Sequence, residues 1–273
     1  MAMVINTNIG SLNATRQLDA SSRDQATSME RLTSGLRINS AADDAAGMAV
    51  ATNMTTQIMG TDQAIRNTND GISLAQTIDG AAEEMTSMMQ RQRELAIQSL
   101  NGTYSAANRT AMDDEFNALT SEISRIASTT KFNGVAIMNT TVQIGIHSGW
   151  EDNAADSIVV TAIAGAAIAT AVTLLGVDTS ANAAAAVTGL NTQLSTLSSA
   201  RSGVGAVQNR LEHTVANLQN LSENTNAARS NIQDADFAKE SADLARTQVL
   251  QQAGMSMLSQ ANQASQNVLQ LLQ

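Results

Sequence analysis

Proline and cysteine are both missing from the 273 residues, and only five aromatic side chains occur: Phe116, Phe132, Phe237, Tyr104 and Trp150. Without proline, no ring interrupts a helical hydrogen-bond ladder, so a helix-dominated chain is expected. Without cysteine there is no disulfide and no thiolate metal ligand, which leaves either side of a membrane open. So few aromatics remove the largest anchors of a compact core and leave packing to stripes of Leu, Ile, Met and Ala on long helices. Basic residues are scarce as well: two lysines, Lys131 and Lys239, in a chain of net charge −10. Phosphate neutralisation needs clustered Lys and Arg, so nucleic acid is excluded as a partner.

Charge is absent from both ends. Met1 to Thr15 and Thr247 to Gln273 carry no Asp, Glu, Lys, Arg or His, although 15% of the chain is charged. Termini normally fray into water and are polar, so uncharged ends rich in Leu, Ile, Val, Met and Ala read as surfaces to be covered. The apolar residues offered for that contact are Val4, Ile5, Ile9 and Leu12 at one end, and Val249, Leu250, Leu258, Val268, Leu269 and Leu272 at the other. Burying them offsets too little chain entropy for the ends to order alone, so they are expected to fold when other copies cover them. No secretory signal is expected, because the first basic side chain is Arg16 and the N-terminal apolar run is broken by Asn6, Asn8 and Asn13. Ser157 to Val177 is also free of charge, but its Ala, Gly and Thr content, acidic flanks and β-branched start argue against membrane insertion.

What is present is periodicity. Leu190, Leu197, Val204, Leu211 and Leu218 recur every seven residues, and Ile58, Ile65 and Ile72 share that spacing before Ala75, Ala82 and Met89. Repeats this long describe a coiled-coil seam rather than one face of a short helix. A helix from about 45 to 100 would be roughly 80 Å long, which is a rod. Breaks fall at Ser34 to Ser40, Asn101 to Asn108, Asn133 to Gly134 and Gly145 to Asp156. They leave a shorter helix at about 107–128, a β-hairpin from Thr141 to Ile146 and Ser157 to Ile163, a helix from about Ala181 to Gln233, and a final helix with Asp234 as its N-cap. The fold class is therefore mainly α: a long antiparallel helical or coiled-coil rod with paired terminal helices and a small β-hairpin. The chain goes out and returns, which brings the uncharged ends together.

Specific strings add to this. Gln25 to Ala51 reads QATSMERLTSGLRINSAADDAAGMAVA, Asn67 to Glu84 NTNDGISLAQTIDGAAEE, Gln90 to Gln98 QRQRELAIQ and Lys131 to Met138 KFNGVAIM. From Val204 the chain runs VGAVQNRLEHTVANLQNLSENTNAARS and onward through QVLQQAG. These closely resemble bacterial flagellin over about 1–138 and 190–273, in a short form lacking large outer domains. The resemblance implies a structural subunit that self-polymerises into the extracellular flagellar filament for swimming; a hook-filament junction protein is the other member of that class to weigh. It implies a filament-core domain at 1–40 plus 235–273, and a helical rod domain at 41–234 that includes the hairpin and a variable segment at about 139–189. The implied partners are other copies of the chain, the flagellar export apparatus and its chaperone, and the filament cap and hook-junction proteins. It also implies competence to be detected by Toll-like receptor 5, through Arg91 and Leu95 with Glu115 beside them.

Catalytic chemistry has no foothold. His147 and His213 are isolated, there is no HExxH and no phosphate-binding glycine loop, and no nucleophile stands with a base. The acidic pairs Asp43–Asp44 and Asp113–Asp114 are read as helix starts, where negative charge favours the dipole. Neither an enzyme nor a cofactor is expected. Thirteen methionines, among them Met85, Met88, Met89, Met255 and Met257, serve either as an adaptable contact surface or as ordinary core filling.

Overall fold

The computed structural model describes residues 7–139 and 142–270, with only the backbone of Ala154 and of 264–270. Among the described residues the chain is mainly α: α1 Ile9–Ser34, α2 Ala45–Leu100, α3 Ala106–Thr129, α4 Gly165–Thr173, α5 Ser180–Gln233 and α6 Phe237–Gln270. The strands are short: β1 Lys131–Phe132, β2 Val135–Ala136, β3 Gln143–His147 and β4 Ser157–Thr161.

Helix ends lie where local hydrogen bonding stops the ladder. Asn8 and Ser105 accept from backbone amides in the first turns of α1 and α3, at Ser11 N and Asn108 N, and Asp44 accepts from Gly47 N at 2.8 Å in the first turn of α2. Gly35 closes α1 at φ 72, a left-handed cap that favours glycine. Two expectations need correction. The final helix is capped by Asp236, whose Oδ1 accepts from Ala238 N and Lys239 N, whereas Asp234 sits in a bridge with Leu36. Asp113 and Asp114 lie inside α3 rather than at its start. Asp113 Oδ1 instead accepts from Val177 N at 2.7 Å, tying the α4–α5 connection to α3.

Asn133 (φ 47) and Gly134 (φ 81) both take the left-handed conformation that a two-residue hairpin turn requires, and they join β1 to β2. β3 and β4 pair antiparallel from Gln143↔Thr161 to His147↔Ser157; the expected strand residue Thr141 lies outside the described residues. The second strand stops at Thr161 rather than Ile163, and the alanine-rich stretch after it forms α4, because alanine favours helix. No helix among the described residues is long and apolar enough to cross a membrane.

The chain divides into two compact units, residues 1–56 with 224–273 and residues 57–223. These divisions fall within α2 and α5, while the sequence places its boundaries at 40/41 and 234/235, where helices stop. In the first unit α1 pairs with α6, Arg37 Nη2 donates to Ile232 O at 2.6 Å, and Ala235 N to Gly35 O. In the second unit α2 and α5 are antiparallel, as Arg93 to Asn191, Asp79 to Arg201 and Asp62 to Ser222 show. α3 folds back beside α2, with α4 packed on it. The hairpin lies on α2 where side chains are missing: a β-carbon on Gly60 would meet Trp150, and one on Gly71 would meet Ile146. Asn67 Nδ2 donates to His147 O between them.

Candidate assembly surface

The pairing of α1 with α6 is antiparallel: Asn8 Nδ2 donates to Ala261 O, Ser21 Oγ to Thr247 O, and Arg31 Nη1 lies 3.2 Å from Glu240 Oε1. Residues covered on α1 recur at alternating steps of three and four, Ser11, Ala14, Leu18, Ser21, Gln25, Ser28 and Leu32. On α6 the same rhythm gives Glu240, Leu244, Thr247, Gln251, Gly254, Leu258 and Ala261. This is coiled-coil spacing, but the seam holds mostly small and polar side chains. A β-carbon on Gly254 would stand 3.2 Å from Leu18 Cγ, so the Leu18 side chain packs directly over the glycine.

Leu18, Leu32, Leu244 and Leu258 are the large apolar residues of the seam, and many of the others face outward. Ile9, Leu12, Phe237, Val249, Leu250, Met255 and Met257 are each more than half exposed. Of the residues expected to make the assembly contact, Ile9, Leu12, Val249 and Leu250 are on this outer face, and Leu258 is half-buried on the seam. The side chains of Val268 and Leu269, and the whole of Val4, Ile5 and Leu272, lie outside the described residues. The end helices thus supply one another's inner face, and what remains uncovered is the outer one. An exposed apolar face of this kind marks an interaction surface.

In the second unit Leu190, Leu197, Val204, Leu211 and Leu218 are all buried. On α2 Ile58 is buried, while Ile65 and Ile72 are half-buried beside a buried line that mixes small and large side chains: Ala64, Thr68, Gly71, Ala75, Ile78, Ala82, Met85, Met89, Gln92, Ala96 and Ser99. Gln92 Nε2 donates inside this line to Phe116 O and Thr120 Oγ1, while its buried Oε1 finds no partner among the described residues, and Ser99 Oγ donates to Val177 O at 2.6 Å. Arg201 Nε lies 2.7 Å from Asp79 Oδ1; that hydrogen bond holds the guanidinium pKa above its ordinary value.

Arg91 is exposed and clamped between two carboxylates, with Nε 2.9 Å from Glu115 and Nη1 3.1 Å from Glu94. The bond to Glu115, then the one to Glu94, raises its pKa. Leu95 is only 2% exposed, inside the apolar cluster. Of the three residues named for a receptor contact, Arg91 and Glu115 are at the surface and Leu95 is buried. The residues that sequence reasoning missed are Arg31 with Glu240, Asp113, and Gly254. Glu240 was signalled by the three-four rhythm of α6, which passes through it.

Among the described residues no group of three or more His, Cys, Asp or Glu could hold a metal ion. Paired helices that leave Ile9, Leu12, Val249 and Leu250 on an uncovered outer face define an assembly protein. The family model for the bacterial flagellin N-terminal helical region matches residues 5–143, and that for the C-terminal helical region matches 185–272. A flagellin of Halalkalibacterium halodurans is 46% identical, covering 99% of this chain and all of that protein. The flagellin of Bacillus subtilis is 41% identical, and the flagellar filament 33 kDa core protein of Treponema phagedenis 39%, each over 99% of this chain and its own full length. The crystal structure of Bacillus cereus flagellin superposes with a TM-score of 0.51 at 32% identity, over 56% of this chain and 88% of that one. The chain belongs to the bacterial flagellin family. It is a structural subunit of the flagellar filament that polymerises with copies of itself, not an enzyme, and the matches do not favour the hook-filament junction reading.

Proposed function

We propose that polymerisation works by coupled folding and assembly, with the outward apolar face of α1 and α6 as the surface that neighbouring copies cover. The observation that carries this reading is the exposure of Ile9, Leu12, Val249 and Leu250 on helices whose inner seam is mostly small and polar. Covering such side chains is worth roughly 1.5 to 3 kcal/mol each, and the gain is repeated at every subunit. In this reading 1–40 with 235–273 form the filament-core domain, with Val4, Ile5, Leu258, Val268, Leu269 and Leu272 completing the contact. Residues 41–234 form the rod, held by the seam of Ile58, Ile65 and Ile72 with Leu190, Leu197, Val204, Leu211 and Leu218. A chaperone binds the C-terminal tail before export, and the subunit then leaves the cell through the flagellar export channel and is placed between the hook-junction proteins and the filament cap. Toll-like receptor 5 would meet the Arg91–Glu115 surface of the unassembled chain.

The test is seeded polymerisation of the purified chain, followed by electron microscopy. Long filaments from the full chain, and none from Val249→Ser with Leu250→Ser or from a chain lacking 247–273, support the reading. Filaments of normal length from the double serine variant sink it.

A further inference from the structure

The sulfur of this chain is all thioether: thirteen methionines and no cysteine. An oxidant that would ordinarily be consumed at a thiolate meets methionine instead. The methionines differ widely in exposure. Met85, Met89 and Met138 are 0% exposed inside the second unit, whereas Met29, Met255 and Met257 on the paired end helices are 50%, 54% and 63% exposed; on α2, outside that pair, Met48 is 37% and Met59 60% exposed. Met255 and Met257 stand about 200° apart on the helical wheel, so they flank both sides of the seam line through Gly254 and Leu258. No charged residue lies between Thr247 and Gln273. Met255 and Met257 are therefore exposed on a stretch of helix that carries no fixed charge of its own to solvate a new polar group.

We infer that Met29, Met255 and Met257 are oxidation sites of the unassembled subunit, and that their conversion to the sulfoxide by a hydroperoxide blocks polymerisation. The inference rests on the assembly reading above. In the step, a lone pair of the thioether sulfur attacks the distal peroxide oxygen and the O–O bond breaks. A sulfur–oxygen bond forms, and the leaving oxygen takes a proton to become water or an alcohol. Sulfur is oxidised by two electrons and the peroxide reduced by two, so no further reactant is needed. The product places a strongly dipolar, chiral group where an apolar one was. Once neighbouring copies cover the outer face, the same sulfurs are out of reach, so assembled filaments are protected and free subunits are not.

The test treats the full-length chain with hydrogen peroxide, maps the added oxygen by peptide mass spectrometry, and measures seeded polymerisation by light scattering. Expected are sulfoxides at Met29, Met255 and Met257 before Met85 and Met89, and a fall in elongation rate of about tenfold or more. A variant carrying Met29→Leu, Met255→Leu and Met257→Leu should elongate equally well with and without peroxide. Methionine sulfoxide reductase applied to the oxidised wild type should restore elongation, and this decides the matter if the leucine variant elongates poorly even untreated. Normal elongation of a chain shown to carry sulfoxide at these three positions overturns the proposal. So does a leucine variant that peroxide inhibits as strongly as the wild type. Failure of the untreated wild type to elongate overturns the assembly reading itself, a separable result.

Discussion

Gly254 of α6 lies so close to Leu18 of α1 that a β-carbon there would come within 3.2 Å of Leu18 Cγ. Glycine in a helix interior ordinarily gives up about 1 kcal/mol relative to alanine, and here it preserves a close approach. Gly254→Val should destabilise the α1–α6 pair by about 1 to 3 kcal/mol, as overpacking does. Gly80 of α2 has open space around its missing β-carbon, so Gly80→Ala should stabilise by up to about 1 kcal/mol. Urea unfolding followed by circular dichroism measures both, and equal midpoints for wild type and Gly254→Val would refute the tight seam.

Leu211 is fully buried on α5, while Ile65 of α2 is half-buried beside the buried line of that helix. Leu211→Ala should lose about 2 to 5 kcal/mol, the sum of lost transfer and the cavity left behind. Ile65→Ala should lose less, because water already reaches part of the side chain. The same urea experiment ranks them, and a larger loss at Ile65 would show that the isoleucines, and not the line beside them, form the inner face.

The helices were legible because nothing in the sequence interrupts them, and the α5 seam because leucine occupies nearly every seventh position. The line on α2 was legible only in part, at Ala75, Ala82 and Met89, since Ala64, Thr68, Gly71 and Ser99 do not look like core residues. They are inside because α2 has neighbours on more than one side, and small side chains let these approach. The same ambiguity hid Leu95, which periodicity cannot distinguish from a surface residue. The ends were legible as surfaces needing cover, but which face they turn to each other was not. Hydrophobicity alone points Ile9, Leu12, Val249 and Leu250 inward, and the structure points them outward. α4 was hidden because a short alanine run after β-branched residues carries too few turns to show a period.

Asp113 ties α3 to the start of the segment that leads into α5. Its carboxylate accepts from Val177 N at 2.7 Å and from Asn117 Nδ2 at 2.8 Å. Asp113→Ala leaves the Val177 amide without its acceptor and should cost about 1 to 3 kcal/mol. Hydrogen exchange at Val177 should accelerate while the amides in the middle of α5 hold their protection. Unchanged exchange at Val177 would mean that Asp113 holds nothing there.

Asp43 links pH to the turn ahead of α2. Its Oδ2 accepts from Ser40 N at 2.9 Å, from Ser40 Oγ and from Asn39 N. These bonds, those from Ser40 foremost, hold its pKa below the ordinary carboxylate value. A carboxylate depressed in the folded state stabilises above its unfolded pKa, and that contribution is lost as pH falls through the folded one. The turn should therefore persist at neutral pH and loosen only below the usual carboxylate range. Amide resonances of Asn39 and Ser40 should follow that acid titration, and Asp43→Asn should flatten it.

Gly60 gives the last prediction, because the only tryptophan reports on it. A β-carbon at Gly60 would stand 2.8 Å from Trp150 Cβ and 3.3 Å from its backbone Cα. A side-chain end can turn aside, but a backbone atom moves only if the loop between β3 and β4 moves. Gly60→Val should therefore lift that loop from α2 and expose Trp150, which is 41% exposed in the native fold. Its fluorescence should shift to the red and be quenched more readily by iodide. Helical circular dichroism should stay the same, since valine is tolerated within a helix at a small loss. An unshifted spectrum with intact helices would place the loop elsewhere and would make Gly60 incidental to how the hairpin sits.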